Sequence, residues 1–363
     1  MANMNIGTPR FYPDWINFFL NRGVAQNGNF DVLATDAGAY KIGLQTGTEP
    51  ELFDMYPLNK VDFDTSADVD GHVIVTLNTQ GLYRKSYIAI LNHNLNSAAG
   101  KIRIFAGNIA SDVTAVDGAN AETADISWDG VTVTEIVNAD TITVGSDNKS
   151  VVIQPGVDGT TLFTFDETQL QYWGIQFEGS TGGSGNATDE TWGSTDLYVG
   201  GIMIGEYFSM PHAPDLSVSR SIMFDKVNMQ ESIGGKRFSN MTSFGRVGTS
   251  SGRSPFNQGN FNYTPFGGRL AYDLNFSFVA STDLMPNEYR NNFSMADDDA
   301  VVVDIWDKTH GPHTPFIFSI DKDSAGDNAG SEHIFARFMN KSLDMTQVSN
   351  NFWNVSMRIE EEF

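Results

Sequence analysis

The chain has 363 residues, of which 40% are hydrophobic and 12% aromatic, enough apolar material for about two folded domains. Its formal net charge of −23 at pH 7 disfavours binding to nucleic-acid phosphates or to anionic lipid. It contains no cysteine, which excludes disulfide scaffolds, thiolate zinc sites and thiol nucleophiles. No apolar run approaches the roughly 20 residues of a spanning helix, so we expect a soluble product of the cytoplasm without membrane insertion.

The first predicted element is a helix over Pro13–Arg22, within an N-terminal arm of residues 1–35. Its proline suits a first helical turn, and the glycine that follows it suits a helix end. Trp15, Phe18 and Phe19 fall on one face of this helix. That face packs either on the chain's own domain, which we favour, or on a neighbouring subunit as an assembly arm.

Residues 36–216 consist of short alternating runs between clusters of Gly, Asn, Asp and Ser, a pattern typical of a jelly roll or β-sandwich. Tyr87–Ala106 is the best-formed stretch: two apolar runs flank the polar segment Asn92–Gly100. Its second run alternates isoleucine with lysine and arginine, the period of a half-buried strand, so we predict strand, ordered loop, strand. The predicted strands are Val73–Leu77, Tyr87–Leu91, Lys101–Phe105, Val131–Ile136, Thr141–Val144, Ser150–Gln154, Leu162–Phe165, Tyr172–Phe177 and Leu197–Ile204.

Two prolines in Met210–Ser217 indicate a boundary, and residues 217–363 are predicted to form a second β-sandwich with one packed helix. Within it, Gly234–Thr264 is a long loop whose basic residues contrast with the acidic whole. This loop either reaches an acidic neighbouring subunit or lies free in solvent, and the sequence favours neither. An ordered segment is predicted at Arg269–Ala280 and the helix at about Asp299–Lys308. The strands predicted after the helix are Pro315–Ile320, His333–Phe338, Leu343–Val348 and Trp353–Glu362.

Several of these stretches resemble virion proteins of tailed bacteriophages. Ala89–Leu95 (AILNHNL) is similar to a run in their galactose-binding-like jelly rolls, and Tyr172–Phe177 and Gly201–Tyr207 look like later strands of that module. The C-terminal half resembles the companion domain of such proteins, whose sandwich is similar to tail-tube folds. The stretches that carry this second resemblance are Leu270–Phe278, the helix that ends in Trp306, Pro315–Asp321, Phe335–Phe338 and Asn354–Ile359.

The family implied is the minor tail or distal-tail-like structural proteins of long-tailed phages. The resemblance implies a non-enzymatic virion component, assembled in the host cytoplasm. It would form a cyclic homo-oligomer, a hexamer or trimer, at the tail tip or baseplate, and would contact other phage tail proteins. Asp112–Ser150 and the basic loop depart from the family pattern and leave the position in the virion open. The alternatives are a carbohydrate-binding receptor-recognition or tail-fibre protein and, with little support, a hydrolase of surface polysaccharide.

Under the carbohydrate alternative, Asn92, His93 and Asn94 would contact a host surface glycan. The segment Asn92–Gly100 contains no aromatic side chain on which a sugar would stack. We therefore favour a structural role, in which the His93 ring bonds the backbone of its own loop.

The segment Asp321–Glu332 (DKDSAGDNAGSE) matches part of a calcium-binding loop, with Asp321, Asp323, Asp327 and Glu332 as candidate ligands. The fifth position is alanine, which has no side-chain oxygen, and the flanks are predicted strands rather than helices. We favour an acidic hairpin loop and predict no cofactor.

Two further patterns are weaker. His310 and His313 would join Asp304 or Asp307 in a metal site, but Gly and Pro between the histidines indicate a turn. Gly248–Gly252 fits G-x-S-x-G without the strand and helix that a nucleophile elbow requires. Carboxylate pairs are unavoidable among 45 acidic residues. The sequence therefore predicts that the protein is not an enzyme.

Overall fold

The part of the chain described by the computed structural model is mainly β, with several antiparallel sheets and few, short helices. This confirms the predicted fold class at that level. The described residues are 6–33, 42–81, 83–114, 124–145, 148–181, 191–224, 227–241, 255–256, 268–286, 299–325, 329 and 332–362.

The strands, numbered in chain order, are β1 (Arg10–Tyr12), β2 (Phe30–Val32), β3 (Leu44–Thr46), β4 (Val61–Phe63), β5 (Val73–Asn78), β6 (Lys85–His93), β7 (Gly100–Gly107), β8 (Val133–Val137), β9 (Thr141–Val144), β10 (Val151–Gln154), β11 (Gly159–Thr168), β12 (Tyr172–Gly179), β13 (Leu197–Val199), β14 (Gly201–Gly205), β15 (Phe208–Ser209), β16 (Ser219–Met223), β17 (Val227–Glu231), β18 (Arg237–Met241), β19 (Arg269–Ala280), β20 (Phe316–Ser319), β21 (His333–Phe338), β22 (Asp344–Ser349) and β23 (Phe352–Glu361). The helical segments are α1 (Trp15–Leu20), α2 (Ser281–Leu284), the 3₁₀ turns Glu49–Phe53 and Ala110–Val113, and the π-helix Val302–Asp307.

Two antiparallel sheets face each other in the first unit. The six-stranded sheet has the order β2-β5-β12-β7-β10-β9, and the four-stranded sheet has the order β14-β6-β11-β8. Ile88 and Ile90 of β6 meet Ile102 and Ile104 of β7 in the largest apolar core. Since β6 and β7 lie in different sheets, the loop between them carries the chain across the sandwich.

The second unit is an eight-stranded sheet with the order β15-β1-β20-β21-β23-β19-β16, in which β22 also pairs with β23. One face of this sheet forms a second core with the π-helix, through residues such as Phe316, Phe318, Val302 and Ile305. The predicted single helix is therefore present, and it is shorter than predicted.

The inner strand β6 of the four-stranded sheet is buried on both faces. Tyr87, Ala89 and Leu91 point away from the first core and pack with Ile317 and Phe335 of the eight-stranded sheet. Every position of β6 is buried. A strand that is covered on both sides needs apolar residues at successive positions. This explains why the first apolar run of Tyr87–Ala106 is continuous rather than alternating.

The N-terminal segment belongs to both units. β1 pairs with β15 and β20 in the eight-stranded sheet, whereas α1 packs in the first core. The Tyr87 hydroxyl donates to the carbonyls of Tyr12 and Pro13 at 3.0 and 2.9 Å. The N-terminal segment thus contributes a strand to the second unit and a helix to the first, and the last strand before Met210–Ser217, β15, also pairs in the eight-stranded sheet.

Lys85, at the start of β6, is a buried amine. Its Nζ donates to the carbonyls of Leu170 and Gly81 at 2.7 and 3.3 Å, and burial lowers its pKa to about 7. Its pKa in the unfolded chain is about 10.4. Between these values the unfolded state binds more protons than the folded state, so this group makes the free energy of unfolding rise with pH.

Lys85→Met is expected to remove this pH dependence. The free energy of unfolding of the unmodified chain, measured by urea titration from pH 7 to 9.5, should rise relative to that of the variant. The matched control is exposed Lys341→Met, which should leave the slope unchanged. Parallel curves for the unmodified chain and Lys85→Met would contradict the assignment.

Candidate functional site: an exposed hairpin and an acidic cleft

The His93 ring fastens its own loop, the role that the sequence favours. Its Nδ1 accepts a hydrogen bond from the Leu95 N–H at 3.2 Å, and its Nε2 lies 2.8 Å from the Thr161 hydroxyl. Burial lowers its pKa to about 3, so the ring is neutral at pH 7. A neutral ring with both nitrogens engaged ties the start of the loop after β6 to the adjacent strand β11 of the same sheet.

The neighbouring asparagines are structural as well. Asn92 adopts a positive φ of 48° and its amide donates to a backbone carbonyl. The Asn94 side chain bonds the Asp196 carbonyl and the Tyr198 N–H at 2.8 and 2.7 Å. Because Asn92, His93 and Asn94 are all buried, they offer no surface to a sugar. The described geometry therefore gives no support to the candidate glycan contact at these residues.

His93→Ala is expected to lower the free energy of unfolding by about 2–3 kcal/mol, because it leaves a cavity and an unpaired Leu95 N–H. Urea titration measures this, with exposed His313→Ala as the matched control expected to change stability by less than about 0.5 kcal/mol. Unchanged stability, combined with loss of a glycan-array signal, would restore the carbohydrate interpretation.

The aromatic face of α1 is covered by its own chain. Trp15, Phe18 and Phe19 are buried in the first core, and the Trp15 indole donates to the Arg84 carbonyl at 2.9 Å. Asp14 caps the helix by accepting from the Asn17 N–H at 2.7 Å. Because these rings are buried in the first core, the described geometry supports packing on the chain's own domain and gives no support to an assembly arm.

The acidic loop after β20 uses one of its carboxylates within the turn. Asp321 accepts the backbone N–H of Asp323 at 3.1 Å and is buried, whereas Glu332 is half-buried at the far end. Asp327 lies outside the described residues. A metal site would require at least three acidic or histidine side chains close together, and the described ranges contain no such group. The calcium site is not supported by the described geometry.

His310 and His313, the two histidines of the predicted turn, make contacts other than those of a metal site. His310 stacks on Phe18 with ring centroids 5.5 Å apart, and His313 lies 3.3 Å from the Asn21 amide oxygen. Asp304 is occupied by Lys308 at 2.7 Å. The sequence interpretation of these histidines as loop residues agrees with these contacts, and the G-x-S-x-G match at Gly248–Gly252 lies outside the described residues.

A buried charge cluster lies on the face of the six-stranded sheet that points away from the core. Arg103 Nη2 and Lys101 Nζ lie 2.8 and 3.4 Å from Glu178 Oε1, and Arg103 also donates to the Ser150 hydroxyl at 2.9 Å. Burial alone would raise the pKa of Glu178, but Arg103 and Lys101 lower it overall. The alternation in β7 predicted a half-exposed strand; this face is instead buried and paired.

A second ionic network joins the two units. Glu206 accepts from Lys308 at 2.8 Å and lies 2.9 Å from Arg84 Nε, while Lys308 also bonds Asp304 at 2.7 Å. Lys308 Nζ lies 4.7 Å from the Trp15 ring centroid. Burial raises the pKa of Glu206 despite the two cations. Lys308 and Asp304 form a local i,i+4 pair, whereas the pairs of Glu206 with Lys308 and Arg84 are long-range and leave no local signature in the sequence.

A cleft of about 440 Å³ opens beside this network. Aromatic side chains of Phe165, Tyr207 and Phe208 form part of its wall. Arg84 reaches the carboxylates of Glu167, at 3.8 Å, and Asp299. The carboxylates that line the cleft outnumber the single guanidinium of Arg84. The cleft would therefore attract a positively charged segment that also carries apolar side chains. The carboxylates are those of Asp166, Glu167, Glu206, Asp283 and Asp299.

The strands β17 and β18 form a two-stranded hairpin that pairs with no other described strand. The side chains of Met229 and Phe238 are 60% and 54% exposed, and Ile233 at the turn is fully exposed. Lys236 and Arg237 follow the turn, and Arg237 pairs with a glutamate of the hairpin at 3.1 Å. Apolar and basic groups thus share one projecting element.

The hairpin changes the interpretation of the predicted basic loop Gly234–Thr264. Within its first part, Arg237–Met241 forms β18, which pairs with β17. The sequence did not predict this strand, because its five residues of alternation are hidden among Gly and Ser. Most of the remainder, residues 242–254 and 257–264, lies outside the described residues.

Comparisons with protein-family models, with curated proteins and with solved structures return no match for this chain. In the described part of the chain, none of the helices has the length and apolar content needed to cross a membrane. The candidate functional site is therefore interpreted from the hairpin and the cleft themselves.

Proposed function

We propose that this chain is a non-enzymatic structural protein of a tailed-phage virion. In this role it forms a ring or cluster at the tail tip or baseplate and acts as an adaptor for neighbouring tail proteins. The observation that carries the proposal is the hairpin Val227–Met241, which exposes apolar side chains in a chain whose cores are otherwise well buried. Met229 lies on one face of the hairpin, Phe238 on the other and Ile233 at the turn, and exposed apolar side chains gathered on one element are characteristic of protein–protein contacts.

The architecture supports the same proposal. The stretch Ala89–Leu95, which carries the resemblance to phage jelly rolls, spans the end of a doubly buried strand and the crossover between two facing sheets. Facing antiparallel sheets with such crossovers are what a jelly roll requires. We propose a galactose-binding-like jelly roll for the first unit and a sheet related to tail-tube folds for the second.

Immunogold labelling of purified phage particles tests the proposal. Antibodies raised against the recombinant chain should label one end of the tail, and mass spectrometry should detect the chain in gradient-purified particles. A labelled capsid protein serves as the positional control. A chain that is absent from particles, and that remains a monomer when concentrated, would overturn the proposal.

The carbohydrate-binding alternative has lost its candidate contacts, because Asn92, His93 and Asn94 are buried. No described observation favours it over assembly. A glycan array with the intact chain would bring it back if specific binding were found.

A further inference from the structure

We propose that the β17–β18 hairpin of one copy docks in the acidic cleft of a second copy of this chain. This inference rests on the proposed function, because it names the contact through which copies join. It assigns a partner to two features, the projecting hairpin and the cleft between the units, that the folded monomer leaves open.

The hairpin requires a partner surface. A two-stranded hairpin alone is marginally stable in water, since it lacks a third strand or a covering element to bury its side chains. Ile233 at the turn and the exposed Met229 and Phe238 gain nothing from the hairpin's own fold. Because Met229 and Phe238 lie on opposite faces of the hairpin, a cleft that receives the hairpin between its walls would cover both of them together with Ile233 and would stabilise the hairpin and the contact.

Charge complementarity identifies the receiving surface. The hairpin carries the basic residues Lys236 and Arg237, although the chain as a whole has a net charge of −23. In the cleft, the side chains of Glu167 and Asp299 are 46% and 67% exposed although both approach Arg84. Arg237 is paired with Glu231 of the hairpin, so Lys236 beside the apolar turn supplies the excess positive charge, and this combination matches a cleft with exposed carboxylates and aromatic walls.

The topology makes this contact head-to-tail. β16 leads into the hairpin from Met223, which pairs with Arg269 at the start of β19, whereas the cleft residue Asp283 follows the end of β19 at Ala280. The strand from Arg269 to Ala280 spans roughly 36 Å, so the base of the hairpin and the cleft lie towards different ends of β19. Each copy can therefore give its hairpin to one neighbour and receive the hairpin of another, and such heterologous contacts generate rings when the rotation closes.

Charge reversal with rescue tests the contact by sedimentation velocity of the full chain. The hairpin variant is Lys236→Glu with Arg237→Glu, and the cleft variant is Glu167→Lys with Asp283→Lys. Each is expected to weaken self-association by at least about tenfold, while an equimolar mixture of the two restores it because the reversed charges match. The control variant, Lys322→Glu with Lys341→Glu, should associate like the unmodified chain.

The outcomes separate this contact from the proposed function. If the unmodified chain associates and neither variant weakens it, the hairpin–cleft contact is wrong while a virion role stands. If the unmodified chain stays monomeric, both the contact and the self-assembled ring fail. Ile233→Ser provides a second variant that leaves the charges unchanged, and it too should weaken association. Thermal unfolding of each variant establishes that it is folded.

Discussion

Replacement of Glu178 by glutamine is expected to destabilise the chain by about 3–5 kcal/mol, the largest effect of any single charge removal in the first unit. The carboxylate is fully buried and faces Arg103 and Lys101. Removal of one partner leaves the buried cations uncompensated, which costs far more than loss of an exposed pair. Urea titration at pH 7 measures the change.

The matched control is Glu362→Gln, which removes the partner of Arg337 in a partly exposed pair with atoms 3.6 Å apart. This change should cost less than about 1 kcal/mol. Because the pKa of Glu178 is lowered in the folded state, its contribution is present above the unfolded value of about 4.3 and is lost as the pH falls through the folded value. A Glu178 variant no less stable than the control would contradict the buried pairing.

Lys308→Met is expected to be comparably destabilising, by about 3–5 kcal/mol, through the junction of the two units. It removes the cation that holds Glu206 and Asp304 at 2.8 and 2.7 Å and leaves two carboxylates near each other in a buried site. Methionine keeps the apolar stem, so the loss reports on the charge rather than on packing. The measurement is the free energy of unfolding in urea.

Lys341→Met serves as the control, because the amine of Lys341 is exposed at a surface turn.

The network also predicts that, in Lys308→Met, the two units unfold in separate transitions, since Glu206 belongs to the first unit and Asp304 to the second. Two resolved transitions in calorimetry would agree with this expectation. A single transition with unchanged midpoint would contradict a role for Lys308 in joining the units.

The sequence predicted local structure well where the signal was periodic. Arg269–Ala280, Thr141–Val144 and His333–Phe338 are strands with the predicted ends, because each combines β-forming residues with clear alternation. The predicted strand Leu197–Ile204 is split between β13 and β14. Three-residue strands such as β1 were not predicted, since they are too short to show a period.

Long-range pairing was beyond the sequence. Lys101 and Arg103 were correctly placed on the face opposite the isoleucines, yet their partner Glu178 lies on β12 and depends on the register of two strands. Likewise, Arg84 and Lys308 are far apart in the chain and meet only at Glu206. Such contacts follow from the packing of whole sheets, which no local pattern specifies.

The candidate site was predicted in part. The sequence showed that Gly234–Thr264 is basic within an acidic chain, and it left open whether this segment reaches an acidic neighbouring subunit or lies in solvent. It did not show the hairpin, because Gly, Ser and Asn obscure its alternation, or the cleft, whose lining comes from separate segments of both units. For His93, the local rule that polar loop side chains bond their own backbone was sufficient.

Cryo-electron microscopy of the assembled full chain tests the head-to-tail contact most directly. The account predicts a closed ring in which the turn around Ile233 of each copy lies beside Glu167 and Asp299 of its neighbour. Two-fold dimers, or rings in which the hairpins project free of every neighbouring cleft, would contradict it.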